Sequence, residues 1–461
     1  MIVPKLEKLI GIETYATRSL GIAGIIRSDF EDFVVEEVLV DGSKAEVNPS
    51  GSNIERSVLS SSPEPNRYLL CVLVKRNWDT FSAVKAVADQ LGISTKYVQV
   101  AGIKDAKALT AQHITIENVS ARDIDKVHIK DIIVRPIGYT RNRLSSFYLL
   151  ENHFQIIIRA IKHPKSTVKK RTASVVRELE TLGGVPNFFG HQRFGTTRPI
   201  THLVGKAIIQ GNFMKATMLF LAKPSPHEHP ASRQAREELQ ATRDFKRALK
   251  DFPKQLRYER LMLKHLAKTS DDFVGALRRL PPKLVELFPQ AYQSYLFNKF
   301  LSKRIEKGFP LNNAVIGDYV ANVQRSGLPM LAMYRVVSAE TLAEINKAVE
   351  DGKMRLAIPL VGYKQRLSQG AQGEIEKQIL CEEKTKPENF RTPIMPEISL
   401  RGELRTALTP LSDFSLEQMP TGSSSSSDCK VKASFMLHRS SYATVVLREL
   451  MKPRNPIRAG F

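Results

Sequence analysis

Three cysteines in 461 residues, scattered at Cys71, Cys381 and Cys429, are too few and too far apart for a disulfide framework. None forms a Cys-x-x-Cys pair, and neither His191, His202 nor His227-x-His229 matches a zinc spacing, so no metal site is expected. The pattern suits a reducing, cytoplasmic compartment. No run approaches the ~20 apolar residues a membrane span needs, and the first residues lack the apolar core of a signal peptide. Acid is also scarce: 47 Asp and Glu stand against 69 Lys and Arg, a formal charge of +22. That surplus favours phosphate-rich partners over acidic ones. The basic residues cluster at Lys169-Lys170-Arg171, at Lys246, Arg247, Lys250 and Lys254, and at Arg278-Arg279. A Lys-rich helix face is more often solvated surface than binding site, so no single cluster carries the reading.

What is present is a soluble, 42% hydrophobic composition and enough length for two or three domains. Residues 21 to 160 read as strands (24–27, 33–39, 68–74, 114–119, 132–137 and 154–159), with 41–66 as a loop. One helix interrupts them, capped by Asp79, with Phe81, Val84, Ala88 and Leu91 on its inner face and Gly92 at its end. Another runs from Ser166 to Leu182. The stretch after Thr197 turns helical, and Pro289 fits the first turn of a helix ending before Gly308. A β-rich patch spans 315–323 and 355–361, residues 382–396 look like an exit linker, and strand signals return at 404–408 and 431–436 before a closing helix near 442–451. The low-complexity run 422–427 reads as a disordered loop. The class is α+β, with a mixed, largely antiparallel sheet interrupted by a mostly helical α+β insertion.

Chemistry concentrates in two segments. In Ala101-Gly102-Ile103-Lys104-Asp105, a strand ending at Val100 bends at Gly102 and presents one carboxylate beside a lysine before the next strand begins. A turn of this kind is by itself usually solvated. In Val185-Pro186-Asn187-Phe188-Phe189-Gly190-His191-Gln192-Arg193-Phe194-Gly195, adjacent aromatics, an amide, a guanidinium and two glycines fall within eleven residues.

Together with Glu31-Asp32-Phe33-Val34-Val35-Glu36-Glu37, the pattern Ala-Gly-x-Lys-Asp-x-x-Ala-x-Thr-x-Gln and the C-terminal Ser441-Tyr442-Ala443-Thr444, these segments closely resemble the TruD family of tRNA pseudouridine synthases. The resemblance runs from about Gly21 to the C-terminus. It implies a pseudouridine-synthase domain in two parts, 1–196 and 396–461, around an insertion at 197–395. It also implies isomerisation of the uridine at position 13 of tRNA, with no cofactor and no metal, by a cytoplasmic monomer. Asp105 then takes the catalytic role at the ribose, as nucleophile or as base, and the uridine is flipped out of its stack.

Phe189 is the candidate to stack on the flipped base, against the alternative of core packing. Asn187 offers a donor and an acceptor to uracil, or forms a turn. Lys104 is expected to hold Asp105 ionised, to contact a phosphate, or to point elsewhere. Phe33, Glu36 and Arg27 belong to the N-terminal motif, where the family places further active-site residues; of Glu36 and Glu37 only one can face the pocket, and the motif favours Glu36. Gln112 and Thr110 are expected to brace the Asp105 loop. Lys246, Arg247, Lys250 and Lys254 are candidates for RNA-backbone contacts. The competing classes are a non-catalytic RNA-binding protein on the same scaffold and a base-releasing glycosylase.

Overall fold

The computed structural model describes residues 2–49, 68–419 and 429–461; the run 422–427 and most of the loop 41–66 lie outside them. Fourteen strands are formed by the described residues. In chain order the first six are β1 (Phe33–Leu39), β2 (Tyr68–Arg76), β3 (Val98–Val100), β4 (Leu109–Glu117), β5 (Ile132–Thr140) and β6 (Leu149–Ile161). Then come β7 (Val185–Pro186), β8 (Tyr319–Val323), β9 (Pro329–Val336), β10 (Met354–Leu360), β11 (Glu403–Thr406), β12 (Leu408–Thr409), β13 (Ser412–Met419) and β14 (Cys429–His438).

An eight-stranded sheet runs β13-β14-β6-β1-β4-β2-β5, with β3 attached to β4. Its pairs are antiparallel except β1 with β4. The fold class is thus mixed α+β, as the sequence patterning predicts. Half of the sheet buries Phe33, Val35, Phe154, Ile156 and Phe435 against the helices Lys165–Leu182 and Ala443–Met451. The other half buries Leu69, Cys71, Leu73, Ile114 and Ile116 against the helix Thr80–Gln90. Asp79 caps that helix through the Ser82 amide, but Phe81 lies outside its inner face. Phe81 is 55% exposed, because Ala83, Val84, Val87 and Ala88 occupy the stripe toward the sheet.

A helical unit with its own core, around Val204, Met262, Leu263 and Phe288, separates β7 from a four-stranded sheet ordered β11-β10-β8-β9. Its central helix starts at Pro282 and runs to Glu306, so Pro289 sits in the interior and not in the first turn. An interior proline costs a helix about 3 kcal/mol or more, and burial of Val285, Phe288, Ala291, Tyr292 and Leu296 along the same helix outweighs it. The proposed linker 382–396 is likewise packed. Phe390 stacks on Tyr292 with centroids 6.1 Å apart, Thr385 bonds the Tyr292 hydroxyl at 2.8 Å, and Met395 is buried. Residues 24–27 form no strand; only Ile25 bridges Arg159, and Ala23, Gly24 and Arg27 all have positive φ.

The segment after β10 returns in steps. β11 completes the small sheet, β12 pairs with β7, and β13 and β14 extend the large sheet next to β6. This path brings Ser440 to Thr444, just after β14, over the middle of the large sheet. β9 and β13, whose sequences alternate weakly, were not anticipated.

Candidate active site

β1 pairs with β4 at Leu109 to Ala111 and β3 pairs with β4 at Ile114 to Ile116, so the connection from Val100 to Leu109 emerges at the top of the sheet. Three side chains tie this loop down. Lys75 Nζ donates to the carbonyls of Asp105 (2.8 Å) and Trp78 (2.7 Å). Thr80 Oγ1 accepts from the Lys104 amide at 3.0 Å. Gln112 donates to the Gly102 carbonyl at 3.0 Å, in the bracing role expected of it. Thr110 does not share that role, since its buried hydroxyl has no partner among the described residues. Burial pushes the Lys75 ammonium down to about 8, against the pull of Asp105.

The Asp105 carboxylate, about a third exposed, faces Arg27 at 3.5 Å. Arg27 lies with its guanidinium 4.0 Å from the Phe33 ring centroid and donates to the Gly460 carbonyl at 3.1 Å. Its φ of +58° is a left-handed conformation that costs a non-glycine residue about 1–2 kcal/mol. Burial pulls its pKa down and the charge of Asp105 opposes that pull.

Asp105 and Phe33 border a cavity of about 260 Å³ whose lining also includes Val35, Lys104, Asn152, Phe154, Gln192, Ser441 and Tyr442. The volume suits a small ligand. Asp105 is the one carboxylate among the lining residues. The walls are aromatic: Phe33 meets Phe154 edge-on at 6.3 Å, and Tyr442 closes the opposite side. Gly190 permits the approach of Tyr442 and Thr444, because a Cβ there would lie 3.0 Å from Tyr442 Cδ1 and 2.7 Å from Thr444 Oγ1. The Asn152 Oδ1 atom is buried and unpartnered among the described residues, and Asn152 is one of the cavity's lining residues.

Asn152 and Phe154 are not singled out by the sequence, and Tyr442 appears there only within the C-terminal motif, without a site role. The register pairs Val35 with Phe154 and Glu37 with Asn152, which puts all four on one face. The available signal was an asparagine two residues before a phenylalanine on the apolar face of an alternating strand.

Several candidates lie elsewhere. Glu36 points to the opposite face of β1, where it accepts from Lys44 (2.8 Å), His153 (3.1 Å) and the Val47 amide (2.9 Å). Burial raises its pKa, but those three contacts outweigh burial and hold the carboxyl at about 2. The glutamate on the cavity side is Glu37, the reverse of the expectation, because strand alternation puts it with Phe33 and Val35. Glu37 is itself buried under Lys104, whose Nζ lies 2.5 Å from its carboxylate. Burial raises the Glu37 pKa, and Lys104 first, then His113, overcome that and lower it. Lys104 therefore neutralises Glu37, and with its side chain 4% exposed it is not placed to meet a phosphate.

Phe189 is packed and does not line the cavity. Its ring meets Phe297 at 5.6 Å and Tyr442 at 6.1 Å, Arg405 lies 4.0 Å over it, and Asn298 bonds both its amide and its carbonyl. Asn187 is also committed inside the protein: its Nδ2 donates to Thr406 at 3.0 Å, and its Oδ1 accepts from Arg405 at 2.6 Å. Lys246, Arg247, Lys250 and Lys254 are exposed around the helix Phe245–Asp251, and Arg247 pairs with Glu238 and Asp251. Among the described residues no group of three or more His, Cys, Asp or Glu is arranged to hold a metal, and no helix is long and apolar enough to cross a membrane.

Comparison with known proteins agrees with this geometry. The family model described as tRNA pseudouridine synthase D (TruD) matches residues 9–450. A probable tRNA pseudouridine synthase D of Methanosarcina acetivorans is 39% identical over 455 residues, covering 98% of both chains. A counterpart of Thermococcus sibiricus is 36% identical, over 95% of this chain and 97% of its own. The crystal structure of a protein from Methanosarcina mazei described as tRNA pseudouridine synthase D superposes with a TM-score of 0.81 at 38% identity, covering 99% of this chain and 100% of that one. With a family match over nearly its whole length and a shared fold, the chain belongs to the TruD family of tRNA pseudouridine synthases, isomerases that act on tRNA.

Proposed function

We propose that this protein isomerises the uridine at position 13 of tRNA, with Asp105 as the catalytic residue and the uridine flipped into the cavity beside it. The observation that carries the reading is a lone carboxylate in an aromatic-walled cavity, paired with an arginine of positive φ. The reaction breaks the N1–C1′ bond and forms C5–C1′, while a proton leaves C5 and one is gained at N1, so the mass is unchanged.

The groups at the cavity serve the bond cleavage at the ribose and the turning of the detached base. Arg27 lies 3.5 Å from the Asp105 carboxylate and fixes its direction. The carboxylate works at the ribose, and the Phe33, Phe154 and Tyr442 rings hold the detached uracil while it turns. The open Asn152 Oδ1 can accept from a uracil N–H, which gives the base an orientation. Desolvation by the rings strengthens all of these polar contacts. The split-domain arrangement, 1–196 with 396–461 around 197–395, belongs to the same reading, as do a cytoplasmic location and a monomer. Its support is the return of β13 and β14 to the sheet that holds Asp105.

Incubating the protein with unmodified tRNA transcript and mapping pseudouridine tests the proposal. Pseudouridine at position 13 is expected. Released uracil would mark a glycosylase, and unaltered RNA that nonetheless binds would mark a non-catalytic protein.

A further inference from the structure

A second cavity, about 110 Å³, opens where the small sheet meets the end of β14. Arg355 of β10, Arg405 of β11 and His438, Arg439 and Ser441 at the end of β14 line it. Three arginines thus line a space with room for several waters, and no Asp or Glu is among its lining residues.

The most deeply buried arginines of this protein are handled differently. Arg236 pairs with Glu228 and Glu259, Arg304 with Asp318, and Arg448 with Glu7 and Glu449. Among the described residues no ion pair is formed by Arg355, Arg405 or Arg439; Glu403 acts on Arg405 only at longer range. Arg405 is 7% exposed and spends its Nε and Nη2 on the Asn187 and Ser440 carbonyls and Asn187 Oδ1. Arg439 donates to the carbonyls of Ser146 and Leu149, and Arg355 reaches only His438, at 3.3 Å. Burial, then Arg355 and Arg439, lower the His438 pKa to about 4, so the imidazole is neutral at pH 7 and adds a polar partner without another charge.

Arg405 is buried without a paired carboxylate, which costs several kcal/mol, and with the half-buried Arg355 and Arg439 beside it the cavity favours an anion from outside. Guanidinium forks match the oxygens of a phosphate. The position identifies the source. Ser441 lines this cavity and the Asp105 cavity as well, and Ser440 to Tyr442 spans at most ~7 Å of chain. We propose that the Arg355–Arg405–Arg439 cavity grips a backbone phosphodiester of the tRNA next to the uridine that enters the Asp105 cavity. The proposal rests on the reading of tRNA as substrate and adds the point at which the strand is held while one base leaves its stack.

The test uses the full-length protein and an unmodified tRNA transcript. Each phosphate contact contributes about 0.7–0.9 to the slope of log affinity against log salt. Arg355→Gln and Arg439→Gln should each lower that slope by about this amount, and Arg355→Lys should restore it. In an RNA stem-loop scanned with neutral methylphosphonate linkages, a linkage flanking the target uridine should weaken binding to the unsubstituted protein and leave Arg355→Gln binding unchanged. Should both glutamine variants fail to fold, the scan of the unsubstituted protein decides, and loss at no flanking linkage overturns the proposal. Unchanged slopes in folded variants also overturn it. Inorganic phosphate provides the other arm: if it raises the Tm of the unsubstituted protein but not of Arg355→Gln while the RNA slope stays the same, the cavity is a free-anion site and the RNA assignment fails. Pseudouridine mapping on the same transcript keeps the two readings apart. Normal slopes with no product would defeat the enzymatic reading and leave the phosphate grip standing.

Discussion

Ala101–Gln112 and Val185–Gly195 are the two segments where the chain concentrates its chemistry, yet the fold treats them oppositely. The first is held from below by Lys75, Thr80 and Gln112, and it leaves the Asp105 carboxylate facing a cavity. In the second, the amide of Asn187 and the ring of Phe189 are enclosed by Arg405, Thr406, Phe297 and Asn298. The difference teaches that a polar or aromatic motif marks a reaction centre only where its groups remain unspent after folding. The second segment works as a buttress, setting Gly190 under Tyr442 and Asn187 against Arg405.

The sharpest way to break this contrast is Asp105→Asn. The amide keeps the shape and loses the charge, so pseudouridine formation should fall by about 10²–10⁴-fold or more, with tRNA affinity nearly unchanged. Product formation at the normal rate, mapped on transcript with enzyme free of host activity, would remove Asp105 from the reaction.

Next in size is a pair of aromatic truncations. Phe189→Ala should cost stability, about 3–5 kcal/mol for a buried phenylalanine, read as a lower Tm. Tyr442→Ala should leave the Tm closer to that of the unsubstituted protein and weaken turnover through lost stacking, about 1–3 kcal/mol. If Phe189→Ala instead melts normally and loses turnover, the ring reaches the base and the buttress reading fails.

The two asparagines form a smaller and cleaner pair. Asn187→Ala leaves the Arg405 guanidinium short of an acceptor and should destabilise by about 1–3 kcal/mol. Asn152→Ala removes an Oδ1 with no protein partner among the described residues, so chemical denaturation should change little while kcat/KM drops.

Acid stability distinguishes the two faces of β1. Glu36 is held at about 2 against an ordinary 4.5, so its contribution is present above pH 4.5 and is lost as pH falls toward 2. Glu36→Gln should therefore flatten the acid limb of a stability-versus-pH curve, with neutral-pH turnover retained. The smallest effect is expected at Lys246, Arg247, Lys250 and Lys254. Reversing all four should lower the salt slope of tRNA binding without moving the modified uridine, and an unchanged slope would make this helix plain solvated surface.

Legibility followed the range of the interaction. β1 ends at the residues that its alternation predicts, and Asp79 caps its helix, since both depend on neighbours a few positions away. The strand 24–27 failed because its backbone is shaped by the C-terminal turn, whose Gly460 would strike the Ile26 carbonyl if it carried a Cβ. The reversal of Glu36 and Glu37 shows a finer limit: the period of two separates their faces, but only pairing with β6 decides which face meets the cavity.

By itself the sequence determined the α+β class, the family and the loop that carries Asp105, because periodicity, glycine placement and motif order are local properties of the chain. Only the tertiary structure decided which side chains remain free to act. Asn152, Phe154 and Tyr442 come to the cavity from β6 and from the end of β14, nearly three hundred residues apart, and Phe189 is withdrawn from it. Register, burial and competition for hydrogen-bond partners set those outcomes, and none of them exists until distant strands pair.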